Sequence, residues 1–197
     1  MGELIERRTF LDEDWYAMEL GSDTYLNCTF TDIDLTEASS KGTTFEACQF
    51  SNVRFNASVH TDSAFLRCEF EHCSFFDATF HLCKLTGSRF EHTALRPLTV
   101  DGGDWSYTVL RSADLRDAKI TGVRMREADL SDCDCAGASF RDVDFAAANL
   151  RQATLDRCDL RGSNLAGVDP RLLRPTGAVI EITQAVQLAQ AMGLELR

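Results

Sequence analysis

Large apolar residues recur at every fifth position over most of this chain. Thirty positions at this spacing run from Leu20 to Leu165, and twenty-seven of them hold Leu, Phe, Ile, Met, Val, Trp or Tyr. The three exceptions are Ser40, His60 and Cys135. An amphipathic helix repeats its apolar face about every 3.6 residues, and a half-buried strand about every two. A period of five fits neither, so the chain must turn once in each repeat.

A second pattern lies two residues before each large position. From Cys28 to Val168, twenty-seven of twenty-nine such positions hold Ala, Cys, Ser, Thr, Val or Gly, and Ile33 and Leu98 are the exceptions. In extended backbone, residues two apart lie on one side, so both the small and the large residue of a repeat face inward. The other three residues are mostly polar and face outward. We expect tight packing in the coil to exclude bulk at the small position.

Four such repeats close a coil of twenty residues, which predicts an all-β solenoid of about 7 to 8 coils with a short C-terminal helix. Side chains twenty residues apart should stack, and two lines of identical residues fit this expectation: Phe30, Phe50, Phe70 and Phe90, and Cys28, Cys48 and Cys68. The predicted segments are an N-terminal cap or partial repeats over 1–19, the solenoid over 20–168, and a C-terminal strand and helix over 169–197.

Two places should depart from the regular coil. Pro97 and the pair Gly102-Gly103 predict a kink or bulge near residues 95–104, because proline lacks a ladder donor and glycine loosens the backbone. After Val168 the repeat stops. Thr183 is predicted to cap a helix from Gln184 to Met192.

The repeats resemble those of the pentapeptide-repeat family, whose consensus reads Ala-(Asp/Asn)-Leu-x-x. Residues 113–117, 128–132 and 148–152 match it, and the resemblance covers about residues 20–168. It implies a right-handed quadrilateral β-helix. The stretches 95–100, 112–116, 182–186 and 192–194 are further similar to mycobacterial fluoroquinolone-resistance proteins of the MfpA type. That similarity implies acidic homodimers that bind DNA gyrase by imitating a DNA duplex. The N-terminal part is longer than expected for that group.

The chain is acidic, with 31 Asp and Glu against 20 Lys and Arg and a net charge of -11. Residues 1–96 hold sixteen acids and eight bases, whereas residues 97–197 hold fifteen and twelve. Such a chain is repelled by nucleic acid and drawn to basic surfaces, so direct nucleic-acid binding is not expected. The alternative is that the acid serves solubility alone.

The coil sorts the outward charges into four sides, of which two adjacent ones are the most acidic. The second side, centred on Phe30, Phe50 and Phe70, carries six acids against three arginines, and the third side, one repeat further on, carries seven against four. Each of the other two sides carries five acids against four bases. We call the second and third sides the acidic edge. The acids predicted to bind a partner there are Asp32, Asp34, Glu37, Glu69, Glu71, Asp77, Glu91, Asp114, Asp117, Asp129, Asp132 and Asp134.

The C-terminal segment carries apolar residues beyond the last repeat. A β-solenoid must cap its open strand edges, and a cap alone would explain them. The sharper prediction is a homodimer interface formed by Leu172, Leu173, Val179, Ile182, Val186, Leu188, Ala189, Met192 and Leu194.

No catalytic constellation stands out in the sequence. Seven of the eight cysteines occupy the small position, so we interpret them as reduced packing residues. His72 and His92 lie twenty apart and should stack, and a solvated row is a better interpretation than a metal site. We therefore expect no metal, no cofactor and no enzymatic activity. The charged N-terminus and the lack of a long apolar run indicate a cytoplasmic protein without membrane contact.

The sequence thus leads to one hypothesis and one alternative. The hypothesis is an acidic rod that mimics DNA, binds DNA gyrase, modulates it and protects it from fluoroquinolones. The alternative is a structural or scaffold module of the same architecture that binds another basic protein.

Overall fold

The computed structural model describes residues 2–195, which form a parallel β-solenoid followed by one short α-helix. One coil takes twenty residues, because Phe30 lies opposite Phe50 and Phe50 opposite Phe70. The predicted all-β solenoid with a short C-terminal helix is confirmed. Pairing between coils begins at Leu4 and continues to Val179, beyond both ends of the predicted 20–168 segment. Position 1 and positions 196 and 197 of the predicted terminal segments lie outside the described residues.

Short strands, numbered here in chain order, form on three of the four sides. The first side holds β1 (Leu4–Glu6), β4 (Thr24–Leu26), β7 (Thr44–Glu46) and β10 (Ala64–Leu66). The second side holds β2 (Thr9–Leu11), β5 (Thr29–Thr31), β8 (Gln49–Ser51), β11 (Glu69–Glu71) and β13 (Arg89–Glu91). The fourth side holds β3 (Glu19–Leu20), β6 (Ser39–Lys41), β9 (Val59–Thr61), β12 (Ala78–His81), β14 (Leu98–Asp101), β15 (Lys119–Thr121) and β16 (Ser139–Arg141). On the third side single bridges join successive coils, as between Asp14 and Asp34.

The large residues form a continuous buried column. In the first half of the rod most of them are phenylalanine, and rings twenty residues apart stack with centroids 4.7 Å apart for Phe30 and Phe50 and 4.9 Å apart for Phe50 and Phe70. In the second half leucines such as Leu115 and Leu130 replace most of the rings and are equally buried. Burial of this column is the main stabilising contribution to the fold.

The small position is small because its side chain points at the preceding coil. The thiol of Cys48 donates a hydrogen bond to the carbonyl of Tyr25 at 3.3 Å, and Cys68 donates in the same way to Phe45 at 3.4 Å. A larger side chain would collide with that backbone. All eight cysteines are buried and free, as the packing interpretation expects.

Two exceptions to the period of five satisfy each other. Ser40 and His60 lie twenty residues apart, and Ser40 Oγ lies 2.8 Å from His60 Nδ1 in the core. Ser58 Oγ lies 3.0 Å from the other ring nitrogen. Ser40 Oγ also lies 2.9 Å from Ser63 Oγ. Because a buried polar group without a partner is costly, these contacts explain how polar residues are accommodated in the column.

The N-terminal end of the column is closed by side chains that break the small-residue rule. No described coil precedes the first one, so its small positions hold Glu3, Arg8, Glu13 and Met18 instead. The Arg8 guanidinium lies 4.6 Å from the centroid of the Phe10 ring. Glu13 accepts a hydrogen bond from the Trp15 indole at 2.8 Å. In the first coil these positions can hold charged side chains because no described coil is packed against them.

The C-terminal end is closed by the helix α1 (Ile182–Ala191). Its buried Gln184 donates from Nε2 to the carbonyls of Leu160 and Ser163, both at 2.7 Å, while its Oε1 accepts from the amide of Glu181. The predicted cap at Thr183 is wrong: the helix begins two residues earlier than predicted, at Ile182, with Glu181 as N-cap. The reason is that Gln184 reaches backwards to Glu181 as well as to the last coil.

Pro97 does not change the pairing register. Ala78 pairs with Leu98 and Lys84 bridges to Asp104, so the offset of twenty is kept on both sides of the proline. Among the local changes are a cis peptide bond between Arg96 and Pro97 and a hydrogen bond from the amide of Asp77 to the carbonyl of Pro97 rather than to residue 96. A ladder bulge is therefore not formed. Gly103 is required here, because a Cβ would lie 2.0 Å from the carbonyl oxygen of Cys83.

Candidate interaction surface

Eight of the twelve predicted partner-binding acids occupy one of two kinds of backbone position, and the other four, Asp34, Asp114, Asp129 and Asp134, lie directly before a large residue at isolated bridges between coils. Some flank a buried phenylalanine within a strand, as Glu69 and Glu71 flank Phe70 in β11. Others form the turn between sides, two residues after the large residue, where the backbone is left-handed: Asp32 (φ 55°), Glu37 (58°), Asp77 (59°), Asp117 (59°) and Asp132 (61°). Short polar side chains tolerate this conformation better than most, which favours Asp at the corners. The acids therefore line the sides and corners of the acidic edge.

Arginines pair with seven of the twelve predicted acids. On the third side Asp34, Asp114, Asp117 and Asp134 have such partners, and on the second side Glu91, Asp129 and Asp132 do. Arg54 approaches Asp34 to 2.7 Å and holds its pKa at about 2. Arg116 approaches Asp114 to 2.6 Å and lowers its pKa too. An approaching partner thus meets little net charge at these seven positions.

Five predicted acids have no arginine or lysine partner among the described residues. Two of them accept neutral hydrogen bonds: Asp32 from Asn52 at 3.1 Å and Glu37 from Tyr16 at 2.8 Å. Glu71 lies 3.7 Å from the imidazole of His72. The complete set of five is Asp32, Glu37, Glu69, Glu71 and Asp77. All five precede residue 78, and among the predicted acids of that part only Asp34 pairs with arginine, whereas every predicted acid after residue 78 does.

The same division holds for all sides of the rod. Residues 2–96 contain sixteen acids, of which only Asp34, Glu46 and Glu91 pair with arginine. Residues 97–180 contain thirteen, and nine of them pair with arginine: Asp104, Asp114, Asp117, Asp129, Asp132, Asp134, Asp144, Asp159 and Asp169. Uncompensated charge is thus concentrated in the N-terminal coils.

The residues predicted for a dimer interface fall into two groups. Ile182 is 85% exposed, and Met192 and Leu194 are each 57% exposed. Leu172, Val179 and Val186 are also exposed. By contrast Leu173, Leu188 and Ala189 are only partly exposed, and the first two pack against the core. The helix therefore attaches by one face and leaves a second apolar face open.

The chain matches family models over most of its second half. Residues 73–144 match the pentapeptide repeat region, and residues 138–169 match pentapeptide repeats in eight copies. Together with the twenty-residue coil of five-residue sides, these matches decide the family. The chain is a pentapeptide-repeat protein.

One sequence relative and two solved structures are similar to this pentapeptide-repeat protein. It is 39% identical over 103 residues to the pentapeptide repeat protein MfpA of Mycobacterium tuberculosis (strain ATCC 25618 / H37Rv), a match that covers 50% of this chain and 56% of that one. Thus only about half of the relative's length is matched. In structure the chain is similar to a trypsin-treated variant of QnrB1, a plasmid-mediated fluoroquinolone resistance protein, with a TM-score of 0.62 at 20% identity over 98% of this chain and 99% of that one. A second trypsin-treated variant of QnrB1 gives 0.52 at 19% identity over 100% of both chains. These two likenesses concern the fold.

Reasoning from the sequence missed how the pentapeptide repeats pair their charges. The signal was present, because Arg54 lies twenty residues after Asp34 and Arg116 two residues after Asp114. Counting the charges on each side gives the net charge of that side, but it ignores the spacings that show which acids lie next to an arginine. The sequence reasoning also did not predict that Gln184 closes the C-terminal end of the solenoid. The period of five does begin earlier than Leu20, at Ile5, and marks the first coil.

The predicted histidine row exists, with the His72 and His92 rings stacked 5.2 Å apart on the surface. Within residues 2–195, no group of three or more His, Cys, Asp or Glu side chains is arranged to hold a metal ion. No helix in the described part is long and apolar enough to span a membrane.

Proposed function

We propose that this protein is a DNA-mimicking rod that binds DNA gyrase, modulates it and protects it from fluoroquinolones. The observation that carries the proposal is the row of carboxylates without an arginine or lysine partner along the N-terminal part of the acidic edge, namely Asp32, Glu37, Glu69, Glu71 and Asp77. The relationship to MfpA and the fold shared with QnrB1 support the choice of partner.

Charge density favours the N-terminal coils as the contact. Duplex DNA carries about one charge per 1.7 Å of axis, or roughly three per 4.8 Å, which is about the spacing of successive coils. Sixteen acids against eight bases give residues 1–96 a net charge of -8. Spread over about five coils, this is roughly half the density of DNA. Residues 97–197 carry only -3, from fifteen acids and twelve bases. A groove that accepts DNA is thus matched better by the first half of the rod.

A homodimer through the C-terminal segment is part of the proposal. The open apolar face of α1, with Ile182 and Val186, would be covered by the same face of a second chain around a two-fold axis. The two acidic halves would then lie at opposite ends of a doubled rod. Sedimentation equilibrium measures the mass directly. A monomer at micromolar concentration would contradict this part, and Ile182→Asp should dissociate the dimer without unfolding the solenoid.

A supercoiling assay with purified gyrase tests the main proposal. Added protein should change supercoiling or ATP turnover and should reduce the DNA cleavage that a fluoroquinolone stabilises. The effect should weaken as salt rises, because exposed charges are screened over about 8 to 10 Å at physiological ionic strength. If none of the three readouts responds, the proposal is wrong. The alternative, a scaffold module that binds another basic protein, predicts that indifference.

A further inference from the structure

The ladder of bridges between coils is interrupted in the middle of the third side. Bridges run from coil to coil as far as Ala94 and resume at Asp114, but none in the described part of the chain joins these two residues. The same two coils stay paired on the second side, where Arg89 bridges to Val109, and on the fourth side between β14 and β15. The interruption is therefore a local opening between two coils that are held together on either side of it.

Backbone groups that pair elsewhere in the rod have no partner among the described residues at this opening. One coil later, the amide of Asp134 donates to the carbonyl of Ala113 at 3.0 Å, and the amide of Leu115 donates to the carbonyl of Asp134 at 2.8 Å. The equivalent bonds are absent at the opening. The unpaired amides are those of His92, Leu95 and Asp114, and the unpaired carbonyls are those of Thr93, Arg111 and Asp114. Since backbone polar groups need partners, these six groups are available to a ligand.

The opening forms a cleft of the size that small molecules occupy. Its volume is about 540 Å³, and sites for small molecules measure roughly 300 to 1,000 Å³. Thr93 and Ala113 are partly exposed in it, whereas Cys73 and Cys133, at the same position of the repeat in the adjacent coils, are buried. The apolar residues that line the cleft are Phe90, Ala94, Leu95, Val109 and Ala113.

The Arg, Asp and Glu side chains that line the cleft are already held in ion pairs. These pairs are Arg89 with Glu91 at 3.5 Å, Arg111 with Asp129 at 2.7 Å, and Arg116 with Asp114 at 2.6 Å. A charged ligand would have to compete with an existing pair for its counter-charge. The cleft therefore favours a neutral ligand that offers hydrogen bonds to the backbone.

The chain itself shows which neutral group fits an open coil edge. At the C-terminal end the carboxamide of Gln184 donates to the carbonyl of Ser163, which occupies the same position of its repeat as Thr93, and accepts from the amide of Glu181. A carboxamide carries a donor and an acceptor side by side. In the cleft, such a group would accept from the amide of Asp114 and donate to the carbonyl of Thr93. It would thus bridge the hydrogen bond that is missing between these two residues.

We propose that this cleft binds a small neutral molecule that carries a primary carboxamide on an apolar or aromatic body. The carboxamide bridges Asp114 and Thr93, and the body packs against Phe90 and Leu95. The site uses backbone groups and apolar side chains and none of the carboxylates of the acidic edge. It therefore goes beyond the proposed function and does not depend on gyrase.

Titration of the intact protein with benzamide, followed by heteronuclear NMR, tests the proposal. The amide signals of Leu95 and Asp114 should shift and should saturate with a Kd of about 1 mM, as expected for so small a ligand. Benzoate has the same shape but is charged and lacks the N–H donors, so it should bind at least about tenfold more weakly. If benzamide shifts neither signal, or if benzoate binds equally well, the proposal is wrong.

Hydrogen exchange in the free protein tests the opening itself. The amides of Leu95 and Asp114 should exchange at least about tenfold faster than the paired amides of Phe75 and Asp134, and benzamide should slow them. Equal protection of all four amides would show a closed ladder and would contradict the proposal.

A matched pair of variants locates the site. Ala113→Val places two methyl groups in the cleft and should weaken benzamide binding about tenfold. It is compatible with the coil, because valine holds the small position at Val53, Val123 and Val143. Ala153→Val, at the same position where the ladder is closed, should leave binding unchanged.

Circular dichroism checks that both variants are folded. Unchanged binding in Ala113→Val, or an equal loss in Ala153→Val, would overturn the assignment of the site. Every readout uses the protein alone, so failure of this site and failure of the proposed function are distinguishable.

Discussion

The N-terminal coils (residues 4–96) and the C-terminal coils (residues 97–180) share one backbone plan but differ in core and surface. Phenylalanine rings fill the first column, stacked at distances such as 4.4 Å between Phe55 and Phe75. Leucine, isoleucine and methionine fill most of the second, as at Leu115, Ile120 and Met125. The first half leaves most of its acids free, and the second pairs most of them with arginine. The same coil can therefore carry a charged surface or a nearly neutral one.

The two halves share the features that the fold requires and differ in the surface charge that the proposed function would use. Both halves keep a small residue beside the preceding carbonyl and a large one in the column, because packing requires them. Neither feature demands free acid on the surface. Free carboxylates repel one another and cost stability, whereas exposed arginine pairs contribute about 0 to 1 kcal/mol each. We interpret the unpaired acid of the N-terminal coils as a cost that the protein bears for binding.

The largest expected effect is the loss of unfolding free energy when a large core residue is truncated to alanine, and this loss should differ between the N-terminal and C-terminal coils. Phe50→Ala removes a ring stacked between Phe30 and Phe70, and should cost about 3 to 5 kcal/mol of unfolding free energy. Leu130→Ala should cost about 2 to 4 kcal/mol, because fewer atoms are removed. Urea denaturation of both variants measures the difference. Equal costs would show that the aromatic column adds nothing specific to the N-terminal coils.

Acid should weaken the N-terminal coils before the C-terminal ones. Burial lowers the pKa of His60 from 6.5 to about 3, so the unfolded chain takes up a proton at a higher pH than the folded one. The contribution of neutral His60 to the unfolding free energy is then complete above pH 6.5. It is lost as the pH falls towards 3, by about 1.4 kcal/mol per pH unit. Hydrogen exchange around residues 55–80 at pH 5 should report local opening.

The control for this prediction is His60→Phe, which places at position 60 the residue type found at Phe80 in the next coil. In this variant the unfolding free energy should depend less on pH between about pH 6.5 and pH 4. Below about pH 4 the carboxylates begin to titrate as well. If the wild-type slope persists in the variant, His60 is not its source.

Removing the Gln184 side chain, which closes the C-terminal end of the solenoid, should lower the unfolding free energy by less and should affect only that end. Gln184→Ala leaves the carbonyl of Ser163 without its donor and removes one of two donors to the carbonyl of Leu160, which also accepts from the amide of Ser163, at an expected cost of about 1 to 3 kcal/mol. Limited proteolysis should then release the helix while the N-terminal coils stay intact. Gln187→Ala, at an exposed position of the same helix, is the matched control. Loss of the whole fold in Gln184→Ala would mean that the two halves unfold as one unit.

Neutralising acids in the two halves should separate binding from total charge. The variant Asp32→Asn/Glu69→Gln/Glu71→Gln/Asp77→Asn should weaken the effect on gyrase about tenfold, or about 1.4 kcal/mol, because it removes free carboxylates. The matched variant Asp114→Asn/Asp117→Asn/Asp129→Asn/Asp132→Asn changes net charge equally but removes paired ones, and should lose about threefold or less. Titrated supercoiling inhibition gives both values. A larger loss in the second set would place the contact in the C-terminal coils.

The sequence predicts the fold well because the period of five is a packing rule that every coil obeys. Position in the repeat alone identifies Phe50, Cys48 and Leu130 as core residues, and the structure buries all three. Even the exceptions obey that rule: Ser40 and His60 hydrogen-bond across one coil, and Arg8 stands where no described coil precedes it.

The candidate site was harder to predict, because it depends on side-chain directions. Asp77 and Asp114 occupy the same predicted side, yet only Asp114 has an arginine within reach. Which of two nearby carboxylates an arginine selects depends on rotamers, and the period of the chain carries no information about them. The observed helix start differs from the predicted one for a similar reason: the side chain of Gln184 hydrogen-bonds to a coil more than twenty residues earlier, and local sequence does not show this.

Four sides of five residues turn position along the chain into an angle around the rod. Loss of one repeat would rotate everything downstream by a quarter turn, whereas loss of a full coil of twenty residues would shorten the rod by about 4.8 Å and preserve every direction. If two chains join through their C-terminal helices, the number of repeats between Asp32 and α1 fixes the angle at which the two acidic halves face outward. Relatives that bind the same target through such a dimer should therefore differ in length between these points by twenties, not by fives.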